Sequence, residues 1–393
     1  MSAFAAVTTG KGIGAIAVIQ LLGDSAENII KKIFKPAGKK PLLFKPGKIL
    51  LGTINSNSET IDQVTIGCEG PYHFAINCHG NPLIVTDIMQ LLQDSGAALL
   101  TAEELLTKIF SAEKPIGQIA LEAKLALLQA KTIEGTKIIA NQINAGLTKT
   151  VEQWLRDINT IPLEQIKADA ERILEDSKIA KLIILGCKIV LIGPPNTGKS
   201  TLLNFLAGRQ KSIVTDIKGT TRDWVSAQCR VGPLHAELID TAGLDEALDD
   251  TIEKTSQQKS LEILDKADLV LLVLDNSQPN DQLDEYILKK IAGRKILTIL
   301  NKSDLPSLPW HGLPARASTA KMAVPQISIS AKLGDGIDKL CAEILRILGV
   351  ADFDLKTAVC FTPRQENLLK QLKKAASNQQ ALSTITELVK RPA

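Results

Sequence analysis

The stretch GPPNTGKS, residues 193–200, constrains the fold of this chain more than any other feature. It directly follows the apolar run KIVLI and directly precedes the helix-forming run TLLNFLAG. A strand, a glycine-rich turn and a helix in this order, with the spacing G-x-x-x-x-G-K-S, are typical of a loop that surrounds phosphate groups. A glycine-rich turn without a ligand is the alternative. The motif predicts a nucleotide site on an α/β sheet.

The residue types in this loop suit phosphate chemistry. Gly193 and Gly198 let backbone N–H groups turn toward a pyrophosphate, and the N-terminus of the following helix adds positive potential. Lys199 reaches the β and γ oxygens, and the hydroxyl of Ser200 offers a ligand for Mg²⁺. The predicted nucleotide contacts of the loop are Gly193, Asn196, Thr197, Gly198, Lys199, Ser200 and Thr201.

Three further motifs follow in order, each after a strand-like apolar run. LIDTAG places Asp240 where a carboxylate holds Mg²⁺ and Gly243 where an N–H meets a γ-phosphate. ILNKSD supplies Asp304, a carboxylate that accepts from the guanine N1–H and N2–H₂ groups that adenine lacks. SISAKLGDG places the N–H of Ala331 near guanine O6. The ligand is therefore predicted to be GTP or GDP, and its base-side residues to be Asn301, Lys302, Asp304, Ser330, Ala331 and Lys332.

Composition limits the other functions that the chain can have. The 46 basic and 43 acidic residues give a net charge of only +3, so any contact with RNA is expected to be local. Aromatic residues make up 3% of the chain, which argues against modules that stack splayed bases. The six cysteines include no CxxC pair, so neither a zinc site nor a disulfide framework is predicted. No signal peptide or bilayer-length apolar run is visible, which favours a cytoplasmic protein without a membrane segment.

The pattern along the chain predicts several domains. Over residues 1–115, short strand-like runs mix with one helical pattern, TDIMQLLQDSGAALL. Two or three long helices are expected over 118–181. Apolar strands then alternate with helices, which is typical of a doubly wound parallel sheet. The predicted architecture is an α/β P-loop GTPase domain inserted in an all-α helical domain, with an α+β N-terminal domain. The predicted boundaries are 1–115 for the α+β domain, 116–186 and 351–393 for the two helical parts, and 187–350 for the GTPase domain.

The segment VTDIKGTTRD, residues 214–223, carries a specific resemblance. Over 187–350 the chain resembles the G domain of the tRNA-modification GTPases MnmE/TrmE, whose switch I reads VTDxxGTTRD. The resemblance extends to TTGKGIGAIAVIQLLG near the N-terminus and to LALLQAKTI in the helical part. It covers the expected domains in order.

This resemblance implies two cations beside the phosphates. The second Thr of the switch motif, Thr221, completes the shell of Mg²⁺, and a K⁺ ion takes the place of an arginine finger, an effect of about 10³ to 10⁵ in rate when Arg supplies it. For Asn196, capping of the following turn is the alternative. The implied ligands are Ser200, Thr221 and Asp240 for Mg²⁺, and Asn196, Thr215, Ile217 and Thr220 for K⁺.

The attacking water needs a positioning group that is not next to the DTAG motif. Leu244 follows Gly243, where small signalling GTPases carry a water-orienting Gln. In the MnmE-like family a Glu further into switch II has this role, and its counterpart here is Glu253 in DDTIEKTSQQKS. A solvated helix carboxylate is the alternative for Glu253. The predicted catalytic residues are Lys199, Thr221, Gly243 and Glu253.

Several motifs of the family outside the G domain are altered. Gln20 stands where the family has an Arg, and Asn81 replaces the second Gly of a His-Gly-Gly turn. The family's Arg-Pro-Gly-Glu-Phe segment, beside its folate pocket, has no counterpart between Leu99 and Gln118. The C-terminal Cys of the family is also absent, and Cys360 is expected to pack rather than react. We therefore expect no tetrahydrofolate derivative to bind.

The resemblance implies a cytoplasmic, Mg²⁺-dependent and K⁺-assisted GTP hydrolase that takes part in tRNA wobble-uridine modification. The implied partners are tRNA, an FAD-dependent protein and a second copy bound through the N-terminal domain. A degenerate paralogue that acts as a GTP-dependent switch or scaffold is the alternative. A ribosome-assembly GTPase is a further alternative, but no RNA-binding module with a GxxG loop follows Val350.

Overall fold

The computed structural model describes residues 2–10, 12–38, 43–56, 59–112, 117–208, 225–240, 262–279, 291–308 and 325–390. These residues form two compact units, Met1–Gly117 and Gln118–Ala393. Within the described ranges, no helix is long and apolar enough to cross a membrane.

The first unit contains a seven-stranded sheet with helices packed on it. Its helices are α1 (Ala26–Ile33), α2 (Pro82–Asp94) and α3 (Ala102–Ala112). Its strands are β1 (Ala3–Val7), β2 (Ile16–Leu22), β3 (Phe34–Pro36), β4 (Ile49–Ser56), β5 (Glu59–Gly70), β6 (His73–His79) and β7 (Ala97–Leu99).

The strand order in this sheet is β3-β4-β5-β6-β2-β1-β7, and only the β1–β7 pair is parallel. Alternation along β2 buries Ala17, Ile19 and Leu21 on one face, as expected for a half-buried strand. The last residues of TDIMQLLQDSGAALL form β7 instead of continuing the predicted helix. Gly96, with φ of +99°, takes the left-handed conformation that ends the helical course.

The helices of the second unit lie on both sides of its sheet in the sequence. One 3₁₀ turn spans Leu127–Gln129. The helices before the sheet are α4 (Gln118–Ala126), α5 (Ile133–Asn144), α6 (Gly146–Asp157) and α7 (Leu163–Leu185). Helix α8 (Lys199–Gly208) lies between strands of the sheet, and the helices after its last strand are α9 (Ile337–Ile347), α10 (Pro363–Lys373) and α11 (Asn378–Val389).

Four helices replace the two or three long ones expected over 118–181, and only α7 is long. Thr132 begins α5, since its hydroxyl accepts a hydrogen bond from Gly135 N at 2.9 Å. Gly146, with φ of +40°, turns the chain between α5 and α6, where a Cβ would lie 2.2 Å from the Gln142 side chain. These local signals are single residues inside an otherwise helical composition, so periodicity alone does not show them.

The helices from the two ends of this unit share one apolar core. Trp154 of α6, Ile173 of α7, Leu369 of α10 and Ile385 of α11 are all buried in it. Arg364 forms an ion pair with Glu122 of α4 and also donates to backbone carbonyls near the end of α11. Segments more than 200 residues apart therefore stabilise each other directly.

The second unit also contains a six-stranded sheet with the order β13-β12-β11-β8-β10-β9. It is parallel except for β9, which pairs antiparallel with β10, so the predicted doubly wound parallel sheet has an antiparallel edge strand. Apolar clusters cover both faces, and every residue of β11 is buried. The strands are β8 (Cys187–Ile192), β9 (Val225–Val231), β10 (Leu234–Asp240), β11 (Leu269–Asp275), β12 (Ile296–Asn301) and β13 (Gln326–Ser328).

Candidate functional site

The carboxyl edge of the second sheet gathers the polar residues that the motifs predict. Asp240 ends β10, Asp275 ends β11 and Asn301 ends β12, and Gly193 follows the last residue of β8. Asp275 and Asn301 are direct neighbours in the register of their two strands. Because ligands of open α/β sheets bind beyond the carboxyl ends of the strands, this edge is the candidate site.

Two glycines of the phosphate loop occupy places that admit no side chain. Gly193 has a φ of +153°, and a Cβ there would lie 2.1 Å from the carbonyl oxygen of Val273. Gly198 has a φ of +92°, and a Cβ there would lie 2.3 Å from Asn301 Nδ2. The loop therefore packs closely on β11 and β12, as the two glycines of the motif require.

The lysine of the phosphate loop is hydrogen-bonded to backbone carbonyl groups of the same loop. Lys199, which is buried, donates from Nζ to the carbonyl oxygens of Gly193 at 2.8 Å and Pro194 at 2.9 Å. The buried Thr197 also donates, from Oγ1 to the oxygen of Pro194 at 3.0 Å. The ammonium group thus lies across the concave side of the loop at the start of α8.

A hydroxyl and a carboxylate meet at the N-terminus of α8. Ser200 Oγ donates to Asp240 Oδ2 at 2.6 Å, and Asp240 is only 2% exposed. Two oxygen ligands of this kind suit Mg²⁺, which prefers carboxylate, hydroxyl and water oxygens. In the described part of the chain, no cluster of three or more His, Cys, Asp and Glu side chains offers a protein-only metal site.

Asn301 connects the phosphate loop with the segment after β13. Its Nδ2 donates to the carbonyl oxygen of Thr197 at 2.8 Å, and its Oδ1 accepts from the N–H of Ala331 at 2.9 Å. Asn301 and Ala331 are each 2% exposed. The N–H of Ala331, expected near guanine O6, therefore already has a protein acceptor, and its contact with the base stays a prediction.

The carboxylate expected to recognise guanine has a fixed orientation. Asp304 is exposed, and its Oδ1 accepts from Ser330 Oγ at 2.7 Å. This hydrogen bond lowers the pKa of Asp304, and the charges of Lys332 and Lys302 lower it further. Asp304 is thus held as an ionised acceptor, the state that recognition of two guanine donors requires.

Asp275 is a residue of this edge that the motifs did not predict. Lys302 Nζ lies 2.7 Å from Asp275 Oδ2, and Ser277 donates to Oδ1 from its N–H and its hydroxyl. Burial raises the pKa of Asp275, but the hydrogen bonds from Lys302 and Ser277 outweigh it and hold the pKa below the usual value. Its signal was available, since LVLLVLD places an acidic residue at the end of a fully apolar strand.

The other predicted residues fall into two groups. Asn196 and Thr201 are exposed, and Asn196 takes a φ of +62°, a left-handed conformation that Asn tolerates better than most residues. The predicted switch residues lie outside the described residues, and their roles stay predictions: Thr215, Ile217, Thr220, Thr221, Gly243 and Glu253.

The first unit shows what surrounds its altered positions. The oxygen Oε1 of Gln20, where the family has Arg, lies 2.7 Å from His73 Nε2, and Gln20 Nε2 donates to Glu69 at 3.4 Å. Asn81 is the N-cap of α2 and accepts from Leu83 N at 2.9 Å. Both side chains therefore have local structural partners.

Comparisons with known proteins match both units. The family model "GTP-binding protein TrmE N-terminus" matches residues 3–114, and "50S ribosome-binding GTPase" matches residues 188–302. The tRNA modification GTPase MnmE of Thermotoga maritima is 30% identical over 377 residues, which are 88% of this chain and 82% of that protein. The protein of the same name from Endomicrobium trichonymphae is 32% identical over 381 residues, again 88% of this chain and 82% of that protein. That of Lactiplantibacillus plantarum is 30% identical and covers 91% of this chain and 80% of that protein.

Proposed function

The chain belongs to the MnmE family of tRNA modification GTPases and is a GTP hydrolase, and from this premise we propose that its hydrolysis of GTP drives modification of a tRNA wobble uridine. The observation that carries the nucleotide part is the link through Asn301. One buried amide holds the phosphate loop, at Thr197, against the guanine-side loop, at Ala331. A site that binds the base and the triphosphate of one nucleotide needs a fixed distance between these two loops.

In the proposed mechanism, the protein positions the triphosphate and stabilises the charge that grows on it. Lys199 leaves the carbonyl oxygens of Gly193 and Pro194 and donates to β and γ oxygens instead. Ser200 and Asp240 would hold Mg²⁺, which, when bound, would supply positive charge beside the phosphate oxygens. Asp304 selects guanine, because an unpaired carboxylate facing adenine would lose both of its hydrogen bonds.

The roles of the switch residues complete this proposal. Thr221 is the further Mg²⁺ ligand, and the N–H of Gly243 meets the γ-phosphate. Glu253 orients the attacking water. These assignments rest on the family's switch motifs as they stand in this sequence.

The proposal includes a K⁺ site, at which Asn196, Thr215, Ile217 and Thr220 would hold an ion that supplies positive charge to the triphosphate. Turnover of GTP by the full chain should be at least about tenfold faster in K⁺ than in Na⁺ at equal ionic strength, because the smaller ion fits the loop carbonyls poorly. Nucleotide affinity, measured by titration in both salts, should differ much less. Equal turnover in the two salts would argue against this ion site.

We further propose that the helical segments 116–186 and 351–393 form one domain, which the GTPase domain 187–350 interrupts. The shared core of α6, α7, α10 and α11 supports this arrangement. The N-terminal domain 1–115 pairs with a second copy, and an FAD-dependent protein acts with this chain on tRNA in the cytoplasm.

Nucleoside mass spectrometry tests the tRNA part. A deletion strain should lose the modified wobble uridine, and the wild-type chain should restore it. A chain with Asp304→Asn should restore less of the modified wobble uridine than the wild type does, because its GTP site is impaired. Unchanged wobble nucleosides in the deletion strain would contradict the proposal.

A GTP-dependent switch or scaffold is the second candidate, and the altered first unit favours it. Gln20 contacts His73 and Glu69, and Asn81 caps a helix, so both side chains form hydrogen bonds with the protein instead of facing a ligand. Calorimetry with a formyl-tetrahydrofolate should show no binding, while GDP binds to the same protein. Tight folate binding would favour the full tRNA-modifying reaction over the switch.

A further inference from the structure

A cavity of about 710 Å³ lies in the second unit, away from the nucleotide edge. It is bounded by α7, by the residues before and in α10, and by the 3₁₀ turn at Leu127–Gln129. This volume is within the range of about 300–1,000 Å³ that is usual for small-molecule sites. None of the nucleotide-site residues that the structure describes lines it.

The inner wall of this cavity is apolar. Ile184 and Cys360 are buried, and Leu174, Phe361 and Ala126 are partly buried. Burial raises the pKa of the Cys360 thiol, which therefore stays neutral and adds to the apolar surface. An apolar wall of this kind favours a ligand with a hydrocarbon or aromatic body.

The rim of the cavity is cationic. Its lysines are exposed, and three of them have acidic neighbours: Lys178 pairs with Glu175 at 2.7 Å, Lys370 with Glu366 at 2.5 Å, and Lys373 with Glu171 at 2.6 Å. The ammonium groups of Lys181 and Lys374 have no ion pair or hydrogen bond within the described residues. Lys181 lies near enough to Glu366 for its charge to lower the pKa of that carboxyl, but within the described residues neither lysine forms an ion pair at contact distance.

The start of α10 also lines the cavity, with the acidic Glu366 in its first turn. Thr362 and Pro363 line the cavity, and Thr362 is the N-cap of α10, where the helix dipole has its positive end. Residues of the apolar wall, Lys181, Lys374 and the start of α10 all line this one cavity. We propose that this cavity binds a small organic anion with an apolar body, whose negative group lies between Lys181 and Lys374.

Two fluorescent probes of matching shape test the proposal on the full chain saturated with GDP and Mg²⁺. Anilinonaphthalene sulfonate has an aromatic body and one negative charge, and phenylnaphthylamine is its neutral parent. The sulfonate should bind saturably and at least about fivefold more tightly than the neutral probe, by the usual strength of two exposed ion pairs. Added salt should weaken binding of the sulfonate only.

Variants of the lining residues test whether the probes bind in this cavity. Lys181→Ala with Lys374→Ala should remove the fivefold preference for the sulfonate, whereas Lys137→Ala with Lys149→Ala, two exposed lysines of α5 and α6, should keep it. Gln129→Trp, on the exposed 3₁₀ turn, should fill the cavity and displace both probes. Ala126→Trp is the second filling variant if the first does not fold, as judged by thermal melting.

The results separate this site from the nucleotide site. GTP turnover should be unchanged in every variant, since none of these residues lies at the nucleotide edge. Equal affinity of the sulfonate for the rim variant and the control variant would overturn the proposal, as would retention of both probes in a folded Trp variant.

Discussion

The two ends of the candidate nucleotide site hold their side chains in different ways. At the phosphate end, ligand-binding groups contact each other: Lys199 donates to loop carbonyls, and Ser200 donates to Asp240. At the base end, Asn301 joins two backbone segments through its amide, and Lys302 pairs with Asp275.

This difference separates binding from stability. In the proposed mechanism, contacts at the phosphate end are exchanged for phosphate and Mg²⁺ when the nucleotide binds, so their loss should affect chemistry more than folding. The contacts of Asn301 are between protein groups, so their loss should affect folding more than chemistry. Variants at the two ends should therefore differ in which measurement they change.

The largest effect is expected for Lys199→Met, which keeps the aliphatic stem and removes the charge. Turnover of GTP in single-turnover kinetics should fall about 10³-fold, because a preorganised donor to the developing charge is lost. The melting temperature of the nucleotide-free protein should change little. Lys188→Met, an exposed change on β8, is the control, and a loss below tenfold for Lys199→Met would refute the assignment.

Next in size is Asp304→Asn, which tests recognition at the base end. Affinity for GTP should fall about 10²-fold or more, and affinity for the xanthine nucleotide should rise, because the amide donates where the carboxylate only accepted. The amide oxygen can still accept from Ser330, so folding should be kept. Asp265→Asn, before β11, is the control in the same titration, and unchanged GTP affinity for Asp304→Asn would show that this residue does not read the base.

Asn301→Ala tests how much the Asn301 side chain stabilises the fold at the base end. Two buried partners, the oxygen of Thr197 and the N–H of Ala331, lose their hydrogen bonds, so the free energy of unfolding should fall by about 2 kcal/mol. Denaturant unfolding of the nucleotide-free chain measures this. Asn204→Ala, an exposed helical position, should change it by less than about 0.5 kcal/mol. Equal losses for the two variants would remove the contrast between the two ends.

The smallest effect is expected for Asp275→Asn, and it depends on pH. The folded pKa of Asp275 is lowered, so its ionised form stabilises the fold at pH above about 3.9, the usual value for Asp. The wild type should exceed the variant in stability by under about 1 kcal/mol above that pH. The difference should shrink as the pH falls below it, as followed by acid-dependent thermal melting. A difference that grew toward acid pH would contradict the lowered pKa.

The sequence was most informative where a motif lies on consecutive residues. The phosphate loop between β8 and α8 was visible because strand, glycine turn and helix are consecutive residues, and the family membership that its switch motif suggested is confirmed by the comparisons. The helical segments were harder, because Thr132 and Gly146 divide them by single-residue signals inside a uniform composition.

The sequence by itself determined which residues end the strands and therefore which chemistry collects at one edge, because parallel strands bring their carboxyl ends together. Only the tertiary structure decided their partners. The bond from Asn301 to Thr197 spans 104 residues, and the pair of Lys302 with Asp275 spans 27. Such contacts depend on how separate strands are ordered and spaced in the folded sheet. Hydrophobic periodicity records only which face of an element is buried, so it carries no information about which distant side chain will be met there.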